Sequence, residues 1–339
     1  MSLLDPVATA VGRLPASVLR LMAGRPVRID GLELEPDVQL ALRLLRLSGH
    51  RDLSTMTPDA ARAEIRRSAA TFAGRLAPVA RVADRTLAGT LGARLYVPAD
   101  DGRRRGLVVY YHGGGWVVGD LDTHDPLCRF LAHAADVLVL AVDYRRAPER
   151  RFPAAVDDAL AAFRAAVADA AALGADPARI AVAGDSAGGN LAAVVAQLAA
   201  RDGGPRPTVQ LLIYPVTDLS RKHPSYRLFA DGFFLTEREM DWYRSHYLPD
   251  EAAASDPRAS PLLADDVTGL PPAIILTAGF DVLRDEGEAY ARRLEAAGVP
   301  VRLSRRAGLI HGFANATAVS RPAYAAMHEA AGWLATALA

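Results

Sequence analysis

The chain has 339 residues, 51% of them apolar and 23% charged, enough to bury roughly three quarters of its unfolded surface without disulfides or a structural metal. Lysine plus arginine equals aspartate plus glutamate at 39 each, a balance that gives nucleic acid or an acidic partner no electrostatic footing. Cys128 is the only cysteine, no uncharged apolar stretch has the length of a membrane span, and no basic-then-apolar leader opens the chain. A disulfide framework, a cysteine metal cluster and stable membrane insertion are therefore not expected, and a soluble cytoplasmic protein is.

Residues 1–75 read as helices set apart from any sheet. One helical pattern covers 7–22; Leu34, Val38, Leu42 and Leu45 recur at helical spacing in a second. Thr57-Pro58 marks the cap and first position of a third, running through Ala61, Ile65 and Ala69. Acidic residues among the arginines favour helices packed on the protein over helices lying on a membrane. Residues 76–339 then alternate strands with helices. Segments 79–87 and 91–97 pair as an antiparallel hairpin. Segments 107–111, 137–142, 180–183, 209–214, 273–277 and 301–304 are short and apolar, as buried parallel strands are. Helical patterns lie at 152–173, 190–201, 285–297 and 323–338. The alternation predicts an α/β fold with a mostly parallel sheet covered on both faces. Between about 218 and 269 the rhythm breaks: strand patterns stop and Tyr226, Phe229, Phe233, Phe234, Trp242, Tyr243 and Tyr247 crowd together. An insertion of this length within a compact sheet reads as a lid.

The strand at 180–183 runs into Gly184-Asp185-Ser186-Ala187-Gly188, and a helix follows. Strand, G-x-S-x-G, helix is the pattern of a nucleophile elbow, in which small flanking residues allow a sharp turn that exposes the serine Oγ. A serine hydroxyl is a weak nucleophile and needs a base, an acid to orient the base, and donors for an oxyanion. His112-Gly113-Gly114-Gly115-Trp116 follows the strand at 107–111, and its three glycines free backbone N–H groups to face a substrate. A tight turn or a phosphate cradle is the competing reading of that loop, but neither a dinucleotide fingerprint nor a Gly-Lys-Ser/Thr motif is present. Of eight histidines, His311 alone follows the last strand in a loop, where an open α/β sheet keeps its site. His50, His124, His133, His223, His246 and His328 have no motif around them, and His112 belongs to the glycine loop. Asp281 closely follows the strand at 273–277 and lies between serine and histidine in the chain; Asp285, at a helix start, is the fallback acid.

These motifs together resemble the hormone-sensitive-lipase-like family of α/β-hydrolases, in particular its bacterial carboxylesterases with HGGG and GDSAG sequences. The matching residues are 112–116, Asp143-Tyr144-Arg145-Arg146-Ala147-Pro148-Glu149, Phe152-Pro153-Ala154-Ala155, 184–190, Tyr214-Pro215, Asp256-Pro257-Arg258-Ala259-Ser260-Pro261, and the stretches around Asp281 and His311. The resemblance covers about residue 75 to the C-terminus. It implies a Ser186, His311 and Asp281 triad, an oxyanion hole from the N–H groups of Gly114, Gly115 and Ala187, and a cap formed by the N-terminal helices and the 218–269 insertion. It implies no metal and no cofactor, and family members often dimerise through the last strand. Departures are Arg146 for the usual leucine, Arg150-Arg151 for His-Pro, and Val282 for the proline after the acid. The expected activity is hydrolysis of small-molecule esters with short-to-medium acyl chains, in a pocket lined partly by Trp116, Phe233, Phe234 and Leu309. An amidase or deacetylase on the same triad is the alternative. A non-catalytic ligand-binding relative is the weaker one, because the histidine is present.

Overall fold

The computed structural model of the chain describes residues 14–47 and 51–339. Three helices come first: α1 (Ala16–Ala23), α2 (Pro36–Leu47) and α3 (Pro58–Phe72). The N-terminal half of the helix expected over 7–22 lies outside the described residues, as does His50. At the start of α3, Thr57 Oγ1 accepts a hydrogen bond from Ala60 N and Pro58 fills the first turn, where a missing N–H costs nothing. Between α1 and α2 lies a small ribbon absent from the sequence reading, β1 (Arg28–Ile29) and β2 (Leu32–Glu33). Its turn is Asp30-Gly31, both at positive φ (54° and 73°), the dipeptide and conformation of a type I′ hairpin.

The main sheet contains β3 (Arg81–Leu87), β4 (Leu91–Val97), β5 (Arg105–Tyr111), β6 (Leu138–Val142), β7 (Ala175–Asp185), β8 (Gln210–Ile213), β9 (Ala273–Phe280) and β10 (Val301–Ile310), in the order β10-β9-β8-β7-β5-β6-β4-β3. Strand β4 runs antiparallel to β3 and β6, and the remaining pairs are parallel. Every residue of β5, β6, β8 and β9 is buried, as expected of parallel strands covered on both faces. The helices are α4 (Asp125–Ala135), α5 (Ala154–Ala168), α6 (Ala170–Leu173), α7 (Ala187–Arg201), α8 (Pro224–Leu228), α9 (Glu237–Tyr247), α10 (Arg284–Ala296) and α11 (Arg321–Ala337). Among the described residues, 218–269 holds helices α8 and α9 and short 3-10 turns but no strand. No described helix is long and apolar enough to cross a membrane.

Several boundaries differ from expectation. The single helix predicted over 152–173 is two, α5 and α6, parted at Asp169 (φ −97°, ψ 10°). An alanine-rich run favours helix throughout, so its composition hides where the chain turns. Helix α4 has no counterpart in the sequence reading; it buries Leu127, Cys128, Phe130 and Leu131, and ends at Asp136 in the left-handed region. Strands β7 and β10 are longer than expected, because backbone pairing spans partly exposed and charged positions, 176–179 in β7 and 302–307 in β10, that carry no apolar pattern.

Candidate active site

The parallel strands deliver the reactive groups at their C-terminal ends. Strand β7 ends at Asp185 and α7 begins at Ala187, which leaves Ser186 as the single linking residue at φ 55° and ψ −118°. A non-glycine residue at positive φ is strained and persists only where neighbours fix it. Here Ser186 N donates to Ile213 O at 2.8 Å, and Ser186 O accepts from Asn190 N (3.0 Å) and Val216 N (3.3 Å). The flanking glycines are steric requirements. A Cβ on Gly188 would lie 1.9 Å from Tyr111 O, and one on Gly184 would lie 2.3 Å from the Gly188 backbone.

His311 follows β10 directly. Its Nε2 is 3.0 Å from Ser186 Oγ, and its Nδ1 is 2.8 Å from Asp281 Oδ2. Asp281 follows β9 and is 1% exposed; its other oxygen accepts from Leu283 N at 3.0 Å. With a carboxylate on Nδ1, that nitrogen carries the proton and Nε2 is left to accept from the serine hydroxyl. The fallback acid is engaged elsewhere: Asp285 accepts from Ser225 N at the base of the 218–269 insertion and from Arg284 Nε.

The glycine loop stands over the serine. Gly114 and Gly115 have φ of 112° and 57°, and Gly114 O accepts from Val117 N and Val118 N, closing a turn. A Cβ on Gly114 would lie 2.3 Å from Val118 O, and one on Gly115 would lie 2.2 Å from the Tyr243 ring of α9. The glycines therefore permit both the turn and the close approach of that helix. The N–H of Ala187 belongs to the first turn of α7, whose donors have no intrahelical partner.

Asp185, the unspecified position of G-x-S-x-G, joins elbow to loop. Its carboxylate accepts from Tyr110 Oη (2.6 Å) and Gly113 N (2.9 Å) and faces His124 Nε2 at 3.4 Å. Burial opposes its ionisation, but His124, the tyrosine hydroxyl and the Gly113 N–H outweigh burial and hold the carboxyl down at about 2. His112 lies beneath the loop, stacked on Tyr144 at 4.2 Å, with Nδ1 2.7 Å from Gly113 O. Burial pushes its imidazole down to about 3, so it is neutral and orients the loop. Behind the acid, fully buried Glu286 accepts from Thr217 N (2.8 Å) and Asp218 N (3.2 Å). Its carboxyl is pushed well above the ordinary range by burial and by Asp218 and Asp281.

Ser186, His311, Gly114 and Gly115 open onto a cavity of about 800 Å³. Its walls include Leu42 and Leu45 of α2, Ile65 of α3, Phe234, Met240 and Tyr243 of the insertion, and Leu309. Two of the four expected lining residues are corrected. Trp116 is fully buried and stacks on Tyr247 at 4.0 Å, outside the cavity. Phe233 packs against Phe229 and Phe280 and is likewise absent from the walls. Met240 and the α2 and α3 residues were not anticipated, although the helical spacing of Val38, Leu42 and Leu45 marks the face they share. Of the remaining histidines, His223 pairs with Asp218 at 2.9 Å and His246 packs on Trp242.

Residues 108–315 match a family model described as alpha/beta hydrolase fold. Carboxylic ester hydrolase LipN of Mycobacterium tuberculosis is 50% identical over 305 residues, covering 87% of this chain and 81% of its own length. Ethyl acetate hydrolase of Pseudomonas putida is 43% identical, covering 83% of this chain and 92% of its own. Among solved structures, an ester-hydrolase from the metagenome of Lake Arreo superposes with a TM-score of 0.86 at 42% identity, covering 89% of this chain and 98% of the other. The chain belongs to the α/β-hydrolases, in their hormone-sensitive-lipase-like family.

Proposed function

We propose that this chain is a serine carboxylesterase in which Ser186 is the nucleophile, His311 the general base and acid, and Asp281 the residue that orients the imidazole. The observation that carries the reading is the unbroken relay Ser186 Oγ, His311 Nε2, His311 Nδ1, Asp281 Oδ2, at 3.0 and 2.8 Å. Its agreement with relatives named carboxylic ester hydrolase and ethyl acetate hydrolase supports it. As Oγ attacks the ester carbonyl, its proton passes to Nε2, and Asp281 stabilises the resulting imidazolium. The N–H groups of Gly114, Gly115 and Ala187 receive the negative oxygen. Loss of one such donor typically costs about 3–4 kcal/mol of transition-state stabilisation. Nε2 then protonates the leaving alcohol, and a water deprotonated by the same nitrogen releases the acid from Ser186.

The N-terminal helices (1–75) and the 218–269 insertion act together as the cap of a catalytic domain spanning 76–339. Supporting this, Leu53 N donates to Glu239 Oε1 at 3.2 Å, Arg46 donates to Gly232 O at 3.0 Å, and Arg238 pairs with Asp52 at 3.0 Å. Both pieces contribute cavity walls. A mostly apolar space of this size suits short-to-medium acyl esters, with Phe234 and Leu309 among the contacts. Strand β10 is the outermost strand of the sheet, and its outer edge ahead of Gly308, whose carbonyl accepts from Glu35 N at 2.9 Å, suits a homodimer; sedimentation that returns only monomer removes that part of the proposal. Ser186→Ala is expected to lower turnover of p-nitrophenyl butyrate by about 10⁴-fold or more while leaving the circular dichroism spectrum unchanged. Retained turnover would sink the assignment.

A further inference from the structure

An oxyanion hole works only if its donors stand where the negative oxygen develops, and a misplacement of about 1 Å can cost roughly 100-fold in rate. The loop at 113–119 is poorly suited to hold itself. It contains Gly113, Gly114, Gly115 and Gly119, and the last three and Trp116 lie at positive φ. Glycine-rich backbone has the most conformational freedom to lose, so the loop depends on contacts from outside.

Asp185 holds the Gly113 N–H at one end of the loop, and arginines hold its carbonyls at the other. Arg62 of α3 donates Nε–H to Val117 O at 2.9 Å. Val117 is the residue whose own N–H closes the turn onto Gly114 O. The rest of the guanidinium is engaged as well: Ala147 O at 2.9 Å, the two Glu149 oxygens at 2.7 and 2.6 Å, and Asp59 at 3.1 Å. All five N–H donors have acceptors, and the side chain is 16% exposed. Ala147 N in turn donates to Trp116 O at 2.8 Å. One helical turn further along α3, Arg66 holds the carboxylate of Asp120, the residue after the loop, at 2.6 Å, and Arg146, where the family usually carries leucine, donates to Gly119 O.

We propose that Arg62 is a positioning residue for the oxyanion loop, seconded by Arg66, so that α3 sets the rate of the reaction as well as walling the cavity. The inference rests on the esterase reading above. A lysine at 62 keeps the charge but presents a single ammonium, which cannot span Val117 O, Ala147 O and both oxygens of Glu149. A contact that only fastens α3 to the body would, when weakened, alter the cavity wall and so KM and chain-length preference. A contact that positions the oxyanion donors alters kcat and the affinity for adducts that carry an oxyanion.

The test uses the full chain with Arg62→Lys and Arg62→Gln. Both kcat and KM are measured on a short p-nitrophenyl ester, with Ki for an alkyl trifluoromethyl ketone. Ser186 adds to that carbonyl, its proton goes to His311, and the hemiketal oxyanion needs the same donors. Expected are a fall in kcat of about 10-fold or more, a KM within about 2-fold, and a ketone Ki raised by the same factor as KM/kcat. Unchanged kcat, or a change confined to KM and acyl preference, overturns the inference. Should both substitutions prevent folding, Arg66→Ala decides: a kcat lowered about 3-fold with a proportionate rise in ketone Ki supports it, and an unchanged kcat overturns it. Absence of ester turnover in the wild type would defeat the esterase reading itself; normal wild-type turnover with an undiminished variant defeats only this inference.

Discussion

Two buried carboxyls near Ser186, Asp185 in the elbow and Glu286 behind Asp281, are shifted in opposite directions. Asp185 is held near 2 against an ordinary 3.8. A depressed carboxyl contributes stability that is fully present above its unfolded value and is lost as pH falls towards the folded one. The difference corresponds to about 2 kcal/mol. Asp185→Asn is expected to be less stable than wild type by that order in urea melts at pH 7, with the gap closing between pH 4 and 2. A gap that persists undiminished at low pH would assign the loss to packing. Glu286 is raised by burial, so its protonated form fits the fold. Stability from a raised carboxyl is complete below the unfolded value and declines as pH rises through the folded one. Glu286→Gln, which mimics the protonated side chain, is expected to fold normally and to lose that decline with rising pH. Glu286→Ala strands the N–H groups of Thr217 and Asp218 and is expected to cost about 2–4 kcal/mol.

Among the elements, α9 brings the cavity wall up against the glycine loop, since Met240 and Tyr243 reach the cavity from it and the Tyr243 ring abuts Gly115. Each buried methylene contributes about 0.8 kcal/mol, or roughly 4-fold in kcat/KM. Met240→Trp should therefore move the optimum of a p-nitrophenyl ester series to shorter chains, with acetate hydrolysis little affected; a parallel fall for all chain lengths would place Met240 outside the acyl site. The proposed triad is legible in the sequence because each member sits at the end of a strand in an order the fold imposes. The cap is harder to read. Phe233 and Phe234 are adjacent and chemically identical, yet one packs under the insertion against Phe229 and Phe280 and the other faces the cavity. Which ring turns inward is decided by neighbours distant in the chain. Helix α4 escaped for a related reason: its termini are set by Pro126 and by a left-handed Asp136 in place of the more telling glycine.

At the scale of the molecule, one apolar core runs from Leu34, just before α2, to Leu338, just after α11, and includes Tyr226, Met240 and Tyr243 of the insertion along with residues of every strand of the main sheet, down to Leu87 of β3 and Leu309 of β10 at its two edges. Cap and sheet thus share buried surface, and calorimetry is expected to show one cooperative transition; a separate early transition would mean that the cap melts alone. The shared core reaches the glycine loop where the Tyr243 ring occupies the space that a Cβ on Gly115 would need. A wall of the proposed acyl site is thus pressed against a proposed oxyanion donor. A lineage of variants selected for a new substrate through α9 would therefore carry altered turnover along with altered taste, and the two traits would be inherited as one.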